Sequence, residues 1–411
     1  ESLVTDPTGR SFLSYRRVRS DEAALLIGAQ HDHGIPTWQD VEDLGTVPTE
    51  DELRRVLSDP STSSAVLFLT PEVKYSPIIR NVEIPKIVQR TESGTGFFAV
   101  PLAAGGLDYS QAAKVASNHV SAQDLADWNM HRIREPKITG QHAAVVANHV
   151  LIQRIQAVHK HIPFGDPLRV GFFIRRAPGF ETGNSLVLNW SRHFKAKEAT
   201  QQIWRDTLLP ALSRVADAIR QHAPGREVEA FGIPTLPAAV ALGCEFLSTS
   251  GLRMSWRQVT PGRPDQVWSL SAAREDTGFK YRLVSGDPNA RDIAVLVSVA
   301  DNVEPVFATY RRYAPRFRAI VHVARCGPLP FLIHSAGQAT DIALTFQDAI
   351  RTARCEYGNV GTVHLFVAVP AGLAVLFGQL LNTFGSVQTY EHVSTDGSGC
   401  YRQASLLSPC M

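Results

Sequence analysis

The sequence predicts an α/β protein: a parallel sheet in the N-terminal third, followed by a duplicated α/β unit. Two observations carry this. Between residues 11 and 101 short apolar runs alternate with helical patterns across short loops, the pattern of right-handed crossovers in a parallel sheet. Beyond residue 168 the alternation resumes in two runs that look like copies. AVALGCEFLSTSGLRMSWRQV, aligned on Gly243, matches AVLFGQLLNTFGSVQTYEHV, aligned on Gly378, with one gap, and each follows a strand ending in proline, Pro234 or Pro370.

Composition bounds the class. At 411 residues the chain exceeds one ordinary core, so two or three domains are expected. Hydrophobic content of 44% and charged content of 19% describe a globular protein. A net charge of +2 disfavours bulk steering of nucleic acid, and no DNA partner is expected. The five cysteines (Cys244, Cys326, Cys355, Cys400, Cys410) are dispersed without CxxC or metal-ligand spacing, which fits a reduced, cytoplasmic setting. The apolar stretch Thr362–Leu381 is broken by Pro370, Gly372 and Gly378 and reads as strand, turn and helix, so no membrane association is expected.

Taken in order, Ser11–Tyr15 is a strand followed by Arg16, Arg17 and Arg19, and Ser20 caps a helix over Asp21–His31. Gly34–Asp40 is a second strand that enters an acidic loop, Val41–Pro48, and Glu50–Leu57 is a helix. Ala65–Thr70 is a buried strand that leads to a short helix with Ser76 as N-cap and Pro77 at its first position. Ile79 and Glu83 share one face of that helix, and Pro85 should end or kink it just past Glu83. Gly96–Pro101 is a further strand, and Asp108–Arg134 reads as helix, with Ser121 a second cap. Ligands of parallel sheets collect at the strands' carboxyl ends, and Ser14, Tyr15, Arg16, Trp38, Asp40, Tyr75 and Glu83 all fall there.

These boxes, FLSYRR (Phe12–Arg17), GIPTWQD (Gly34–Asp40), VLFLTPEVKYSP (Val66–Pro77), Glu83 and FFAVP (Phe97–Pro101), resemble those of a TIR domain over residues 8–135. The resemblance implies a flavodoxin-like parallel sheet and, in the enzymatic members, hydrolysis of the nicotinamide–ribose bond of NAD with Glu83 as the catalytic carboxylate. NAD is then the substrate, with no cofactor and no metal. Phe12, Ser14, Tyr15, Arg16, Trp38, Asp40 and Tyr75 would border it, with Trp38 or Tyr75 flanking a ring and Arg16 meeting the pyrophosphate. ESGTG (Glu92–Gly96) and AAGG (Ala103–Gly106) make no GxGxxG fingerprint, so a dehydrogenase is not supported.

Glu135-Pro136-Lys137 is a turn and the expected boundary between domains 1–135 and 138–411. Gly140–His161 is a long helix whose His142, His149 and His159 lack metal-ligand spacing. The two copies beyond it, about 138–285 and 286–411, read as paired Rossmann-like units. Together with HLFVAVPAGLAVLFGQLLN (His364–Asn382) they resemble the SAVED domain, two fused CARF-like units that sense cyclic oligonucleotides. A TIR domain followed by SAVED is the architecture of antiphage effectors of the CBASS type. The resemblance implies a cyclic oligoadenylate activator, cyclic triadenylate first, and self-association into a head-to-tail filament in which the loop Asp40–Pro48 closes a neighbour's pocket. Phosphates need cations or helix-start amides and adenines need a ring face. The candidates are Arg175, Arg176, Trp190, Arg192, Lys195 and Lys197 in the first copy and Arg325, Pro370 and Ala371 in the second. The rival reading is a non-catalytic scaffold whose ligand-induced assembly recruits another effector.

Overall fold

The computed structural model describes residues 4–38, 50–196, 198–260, 262–312, 316–395 and 398–408. The chain forms two units. The first holds Glu1–Gly171, Pro178–Asn189 and Asp217–Pro224, and the second holds Phe172–Ala177, Trp190–Ala216 and Gly225–Met411.

In the first unit four parallel strands lie in chain order: β1 (Arg10–Ser14), β2 (Thr62–Leu69), β3 (Phe98–Ala103) and β4 (His131–Arg132). β2 is buried at all eight positions, as a central strand covered on both faces must be. Ser11 of β1 also bridges Thr37 in parallel. With Thr37 counted as a rudimentary second strand, the order becomes 2-1-3-4-5, the flavodoxin-like arrangement. The expected strand Gly34–Asp40 is therefore only one bridge over its described part. Pro36 has no N–H to donate to a ladder, and its carbonyl alone accepts, from Ser11. Gln39, Asp40 and the loop to Thr49 lie outside the described residues.

Helix α1 (Ser20–Asp32) starts one residue earlier than expected: Arg19 holds the cap position and Ser20 is inside the helix. Helix α2 (Glu50–Ser58) precedes β2. Beyond β2, the Ile79 amide donates to Ser76 Oγ at 3.4 Å, so Ser76 does begin the next helix. That helix passes through a π-helical turn, Ile79–Glu83, into α3 (Ile84–Glu92). The stretch Asp108–Arg134 is not one helix. It forms α4 (Tyr109–Ala116), α5 (Ala122–Asp127) and β4, because Asp108–Gln111 and Ser121–Asp124 each build a complete capping box and so start separate helices. Asn129, in the left-handed region at φ 54°, then turns the chain into β4. Helix α6 (Gly140–His161) has the bounds read from the sequence and packs on α1. Strands β5 (Leu168–Phe173) and β6 (Leu186–Asn189) follow.

The chain is next helical from Gln201, with a π-helical turn at Trp204–Leu208 that continues into α7 (Leu209–His222). In the second unit β7 (Val228–Ile233) leads to α8 (Leu236–Glu245), then β8 (Met254–Gln258) parallel to β7, and β9 (Gln266–Trp268) antiparallel to β8. A six-stranded sheet follows. Its strands are β10 (Lys280–Ser285), β11 (Ile293–Ser298), β12 (Ala319–Ala324), β13 (Val363–Ala368), β14 (Val387–Thr395) and β15 (Ser398–Leu407). The order is β10-β12-β11-β13-β14-β15, Rossmann-like in its four inner parallel strands, with β10 and β15 as antiparallel edges. Helices α9 (Glu304–Tyr310), α10 (Ala336–Tyr357) and α11 (Ala371–Gln379) connect them. No helix among the described residues is long and apolar enough to cross a membrane.

Candidate functional sites

Glu83 is the last residue of the π-helical turn. The Ile84 amide donates to Ile79 O, one residue further back than in an α-helix. The cause is Pro85, which has no N–H for the Asn81 carbonyl, so the backbone gains a residue in that turn. The same arrangement recurs at Trp204–Leu208, where the Leu209 amide donates to Trp204 O immediately before Pro210. The wider turn carries the Glu83 side chain inward. It is 7% exposed, and its Oε2 accepts from Ser14 Oγ at 2.5 Å. Ser14 ends β1, so strand end and helix meet at one carboxylate, and a hydroxyl bond to an anion is among the stronger hydrogen bonds.

The other residues expected around it divide. Phe12 is 5% exposed and packs in the core, so its ring supports β1 and presents no face there to a ligand. Tyr15 and Arg16 are half-buried at the end of β1. Trp38 is half-buried, its Nε1 donates to Thr62 Oγ1 at 3.2 Å, and Arg10 lies 4.1 Å over its ring. Arg10 also lies 4.5 Å over Phe180, so it is held between two rings. Tyr75 is 66% exposed on a turn, Pro71–Tyr75, that Arg19 fastens through Glu72 at 2.8 Å. Asp40 lies outside the described residues.

In the second unit α8 and α11 cross at their glycines. A Cβ on Gly243 would stand 2.1 Å from Val375 O, and one on Gly378 would stand 2.2 Å from Val240 O. Each carbonyl belongs to the residue three before the opposite glycine, so the crossing is close to twofold symmetric. Both helices start just past a strand and a proline, Pro234 after β7 and Pro370 after β13. Their first amides therefore face the carboxyl ends of two sheets, the place where such folds present unpaired donors. Pro370 is the N-cap of α11 and Ala371 its first residue, both half-buried.

Beside α8, Arg175 Nη2 donates to Glu391 Oε1 at 2.6 Å. Glu391 is 6% exposed, and burial pushes its carboxyl up to about 7 against the opposing pull of Arg175. Arg176 and Lys195 are exposed, Arg192 is exposed on the turn Ser191–Phe194, and Lys197 lies outside the described residues. Arg325, just past β12, lies 4.7 Å over the Phe331 ring. Trp190 is corrected by the structure. It is 0% exposed and packs edge-on against Phe172 at 4.6 Å and Trp204 at 6.0 Å, so it offers no ring face to an adenine. Its aromatic neighbours, invisible to a local reading, pull it into the core. Sequence reasoning missed Glu391, Thr235 and Glu198. A carboxylate inside QTYEHV reads as the solvent-facing half of an alternating strand, and nothing local marks it as buried.

Solved structures resemble the chain at low identity. The Acinetobacter baumannii Cap4 SAVED/CARF-domain containing receptor with the cyclic trinucleotide 2'3'3'-cAAA is 14% identical, covering 87% of this chain and 85% of that one, with a TM-score of 0.47. The same receptor with 3'3'3'-cAAA is 13% identical over 96% of this chain and 100% of that one, TM-score 0.48. The Moraxella osloensis Cap4 receptor is 12% identical over 96% and 100%, TM-score 0.44. No curated protein matches the sequence. A family model described as the SMODS-associated and fused to various effectors sensor domain, SAVED, matches residues 211–405. Residues 211–405, which contain both helices of the glycine crossing, are thus a SAVED domain.

Proposed function

We propose that the chain is a nucleotide-gated effector of the CBASS type. Its SAVED domain binds a cyclic oligoadenylate, cyclic triadenylate first, and its N-terminal TIR-like unit then hydrolyses NAD to nicotinamide and an ADP-ribose product. The observation that carries the enzymatic part is Glu83, a carboxylate held at the carboxyl edge of a parallel sheet by the hydroxyl of Ser14. Breaking the ribose–nicotinamide bond builds positive charge on the sugar, and a positioned carboxylate stabilises that charge without a metal. Nicotinamide leaves with the bonding pair, water adds to the ribosyl carbon, and one proton is released. Ser14 fixes the carboxylate, so the group need not reorganise as charge develops. Tyr15, Arg16 and Tyr75, at the same edge and partly or fully open, are the groups placed to hold the dinucleotide.

Activation is by assembly: ligand on the SAVED domain favours a head-to-tail filament in which one copy's loop Asp40–Pro48 completes the next copy's site. The test is nicotinamide release with a panel of cyclic di- and trinucleotides, on wild type and Glu83→Gln, alongside light scattering. The reading expects ligand-dependent release that the variant loses while scattering still rises. Release retained by the variant would sink the assignment of Glu83, and scattering without any release would favour the scaffold.

A further inference from the structure

Among the described residues two buried carboxylate oxygens, Glu391 Oε2 and Glu198 Oε2, have no hydrogen-bond partner, and the hydroxyl of Thr235, at the start of α8, reaches only the Glu391 carboxyl, at a distance beyond an ordinary hydrogen bond. Thr235 occupies the cap position of α8, yet its hydroxyl makes no bond to the helix amides. Thr235 and Glu198 both act on the Glu391 carboxyl, so the three belong to one cluster. Buried polar atoms are ordinarily paired, and two unpaired carboxylate oxygens in one cluster mark a site arranged for a different set of contacts.

The ion pair in the cluster is lopsided. Glu391 is 6% exposed, whereas the Arg175 side chain is 51% exposed, so the anion is buried and the cation faces solvent. The groups around the carboxyl are Arg175 from the end of β5, Thr235 from α8, Glu198 from the turn before Gln201, and Arg402 from β15. Arg402 sits opposite Glu391 in register but pairs with Glu198. Among the described residues Glu391 therefore has one counter-ion within hydrogen-bond reach, and that ion is the one a solvent-borne anion can also reach.

We propose that Glu391 is a proton-linked latch on Arg175: a phosphodiester takes the guanidinium, and the released carboxylate takes up a proton. This rests on the reading that the SAVED domain binds a cyclic oligonucleotide. The balance is complete: the Arg175–carboxylate pair, a phosphodiester anion and one proton become an Arg175–phosphodiester pair and a neutral acid. Without the proton two anions would share a desolvated corner. The free carboxyl sits near neutrality, so the exchange draws a proton from solution above that point and none well below it.

Affinity for cyclic triadenylate is measured by calorimetry at about pH 6 and about pH 8, in buffers of different ionisation enthalpy, on wild type, Glu391→Gln and Glu198→Gln. The ligand's phosphodiesters and adenines do not titrate in that window. Wild type and Glu198→Gln should bind more weakly at the higher pH, by up to about tenfold, with up to one proton taken up. Glu391→Gln should bind equally at both pH values and at least as tightly as wild type at the lower one. Affinity that does not change with pH in the wild type overturns the latch. So does a folded Glu391→Gln, checked by thermal melting, that no longer binds, because the carboxylate would then be holding the ligand. Wild type that binds at neither pH sinks the sensor reading and the latch together, whereas binding without pH dependence sinks the latch alone.

Discussion

Gly243 and Gly378 sit face to face, each where a Cβ would stand little more than 2 Å from a carbonyl of the opposite helix (Val375 O and Val240 O). Backbone approach this close tolerates no side chain, and the symmetric pair locks α8 against α11 within the SAVED domain. Gly243→Ala or Gly378→Ala should each destabilise that domain by about 1–3 kcal/mol, the usual cost of overpacking. The double variant should cost less than the sum, because one helix displacement relieves both clashes. Denaturant unfolding of the four proteins checks this. Single variants as stable as wild type would mean the helices part without loss.

Pro85 shapes the turn that points Glu83 at Ser14. Pro85→Ala restores an N–H opposite the Asn81 carbonyl and removes the reason for the extra residue in the Ile79–Glu83 turn. Annealing to an α-helix would rotate Glu83 away from Ser14. The variant should melt no earlier than wild type and, on the proposed NAD cleavage, release nicotinamide about 10- to 100-fold more slowly, the scale expected of a misplaced catalytic group. Unchanged release in a well-folded Pro85→Ala protein would show that the turn is not what aims the carboxylate.

Arg154 of α6 is fully buried and, among the described residues, has no carboxylate within hydrogen-bond reach, Asp6 acting on it only from further away. Its guanidinium donates to the carbonyls of Gly9 at 2.6 Å, Thr8 at 2.7 Å and Ser185 at 2.8 Å, and burial pushes its pKa down to about 10. These bonds fasten the chain just before β1, whose far end carries Ser14. Arg154→Met fills much of the volume but takes this donor from the Thr8 and Ser185 carbonyls, while Gly9 O keeps its bond from Ser63 Oγ at 3.1 Å. At about 1–3 kcal/mol for each orphaned group, the loss should be about 3–5 kcal/mol after relaxation. Arg154→Lys should recover part of it. A Met variant within error of wild type in denaturant unfolding would show that water reaches those carbonyls.

What the sequence made legible follows from how local each cause is. Gly243 and Gly378 were visible as equivalent positions of two copies, but that they meet at a helix crossing was not, because contact between distant helices leaves no local pattern. Glu83 stood out because a strand, a cap and a proline bracket it. β10 and β15 were not visible, since antiparallel edge strands carry mixed, partly exposed residues such as KYRLVS and no clean alternation. Trp190 was misread because its burial is decided by Phe172 and Trp204, one before it in another strand and one in the next helix. Glu391 was missed because its environment comes from Arg175 and Thr235, far away in the chain.

Four histidines weaken the fold in acid, against the opposite contribution of the raised Glu391 carboxyl. Burial lowers the pKa of His131, His149, His322 and His364 below the ordinary value of 6.5, helped in His131 by His149 and opposed in His322 and His364 by Glu304 and Asp292 respectively. His322 joins Ser298 at 2.9 Å to Glu304 at 3.2 Å, and His364 joins Tyr390 at 2.7 Å to Asp292 at 3.2 Å, so each neutral ring bridges a hydroxyl and a carboxylate. The sign follows from linkage. A folded pKa below the unfolded one means the unfolded chain takes protons first as pH falls, so these groups leave stability untouched above about pH 6.5 and erode it below. His364→Asn should flatten part of that slope in melting curves recorded across the acid range, at the cost of a lower midpoint at neutral pH. In the Glu391→Gln protein, which lacks the buried carboxyl whose raised pKa adds stability over the same range, a midpoint that holds steady or rises as pH drops from about 6.5 to about 5 would show that the rings gain partners on protonation, and the assignment of their neutral state would fall.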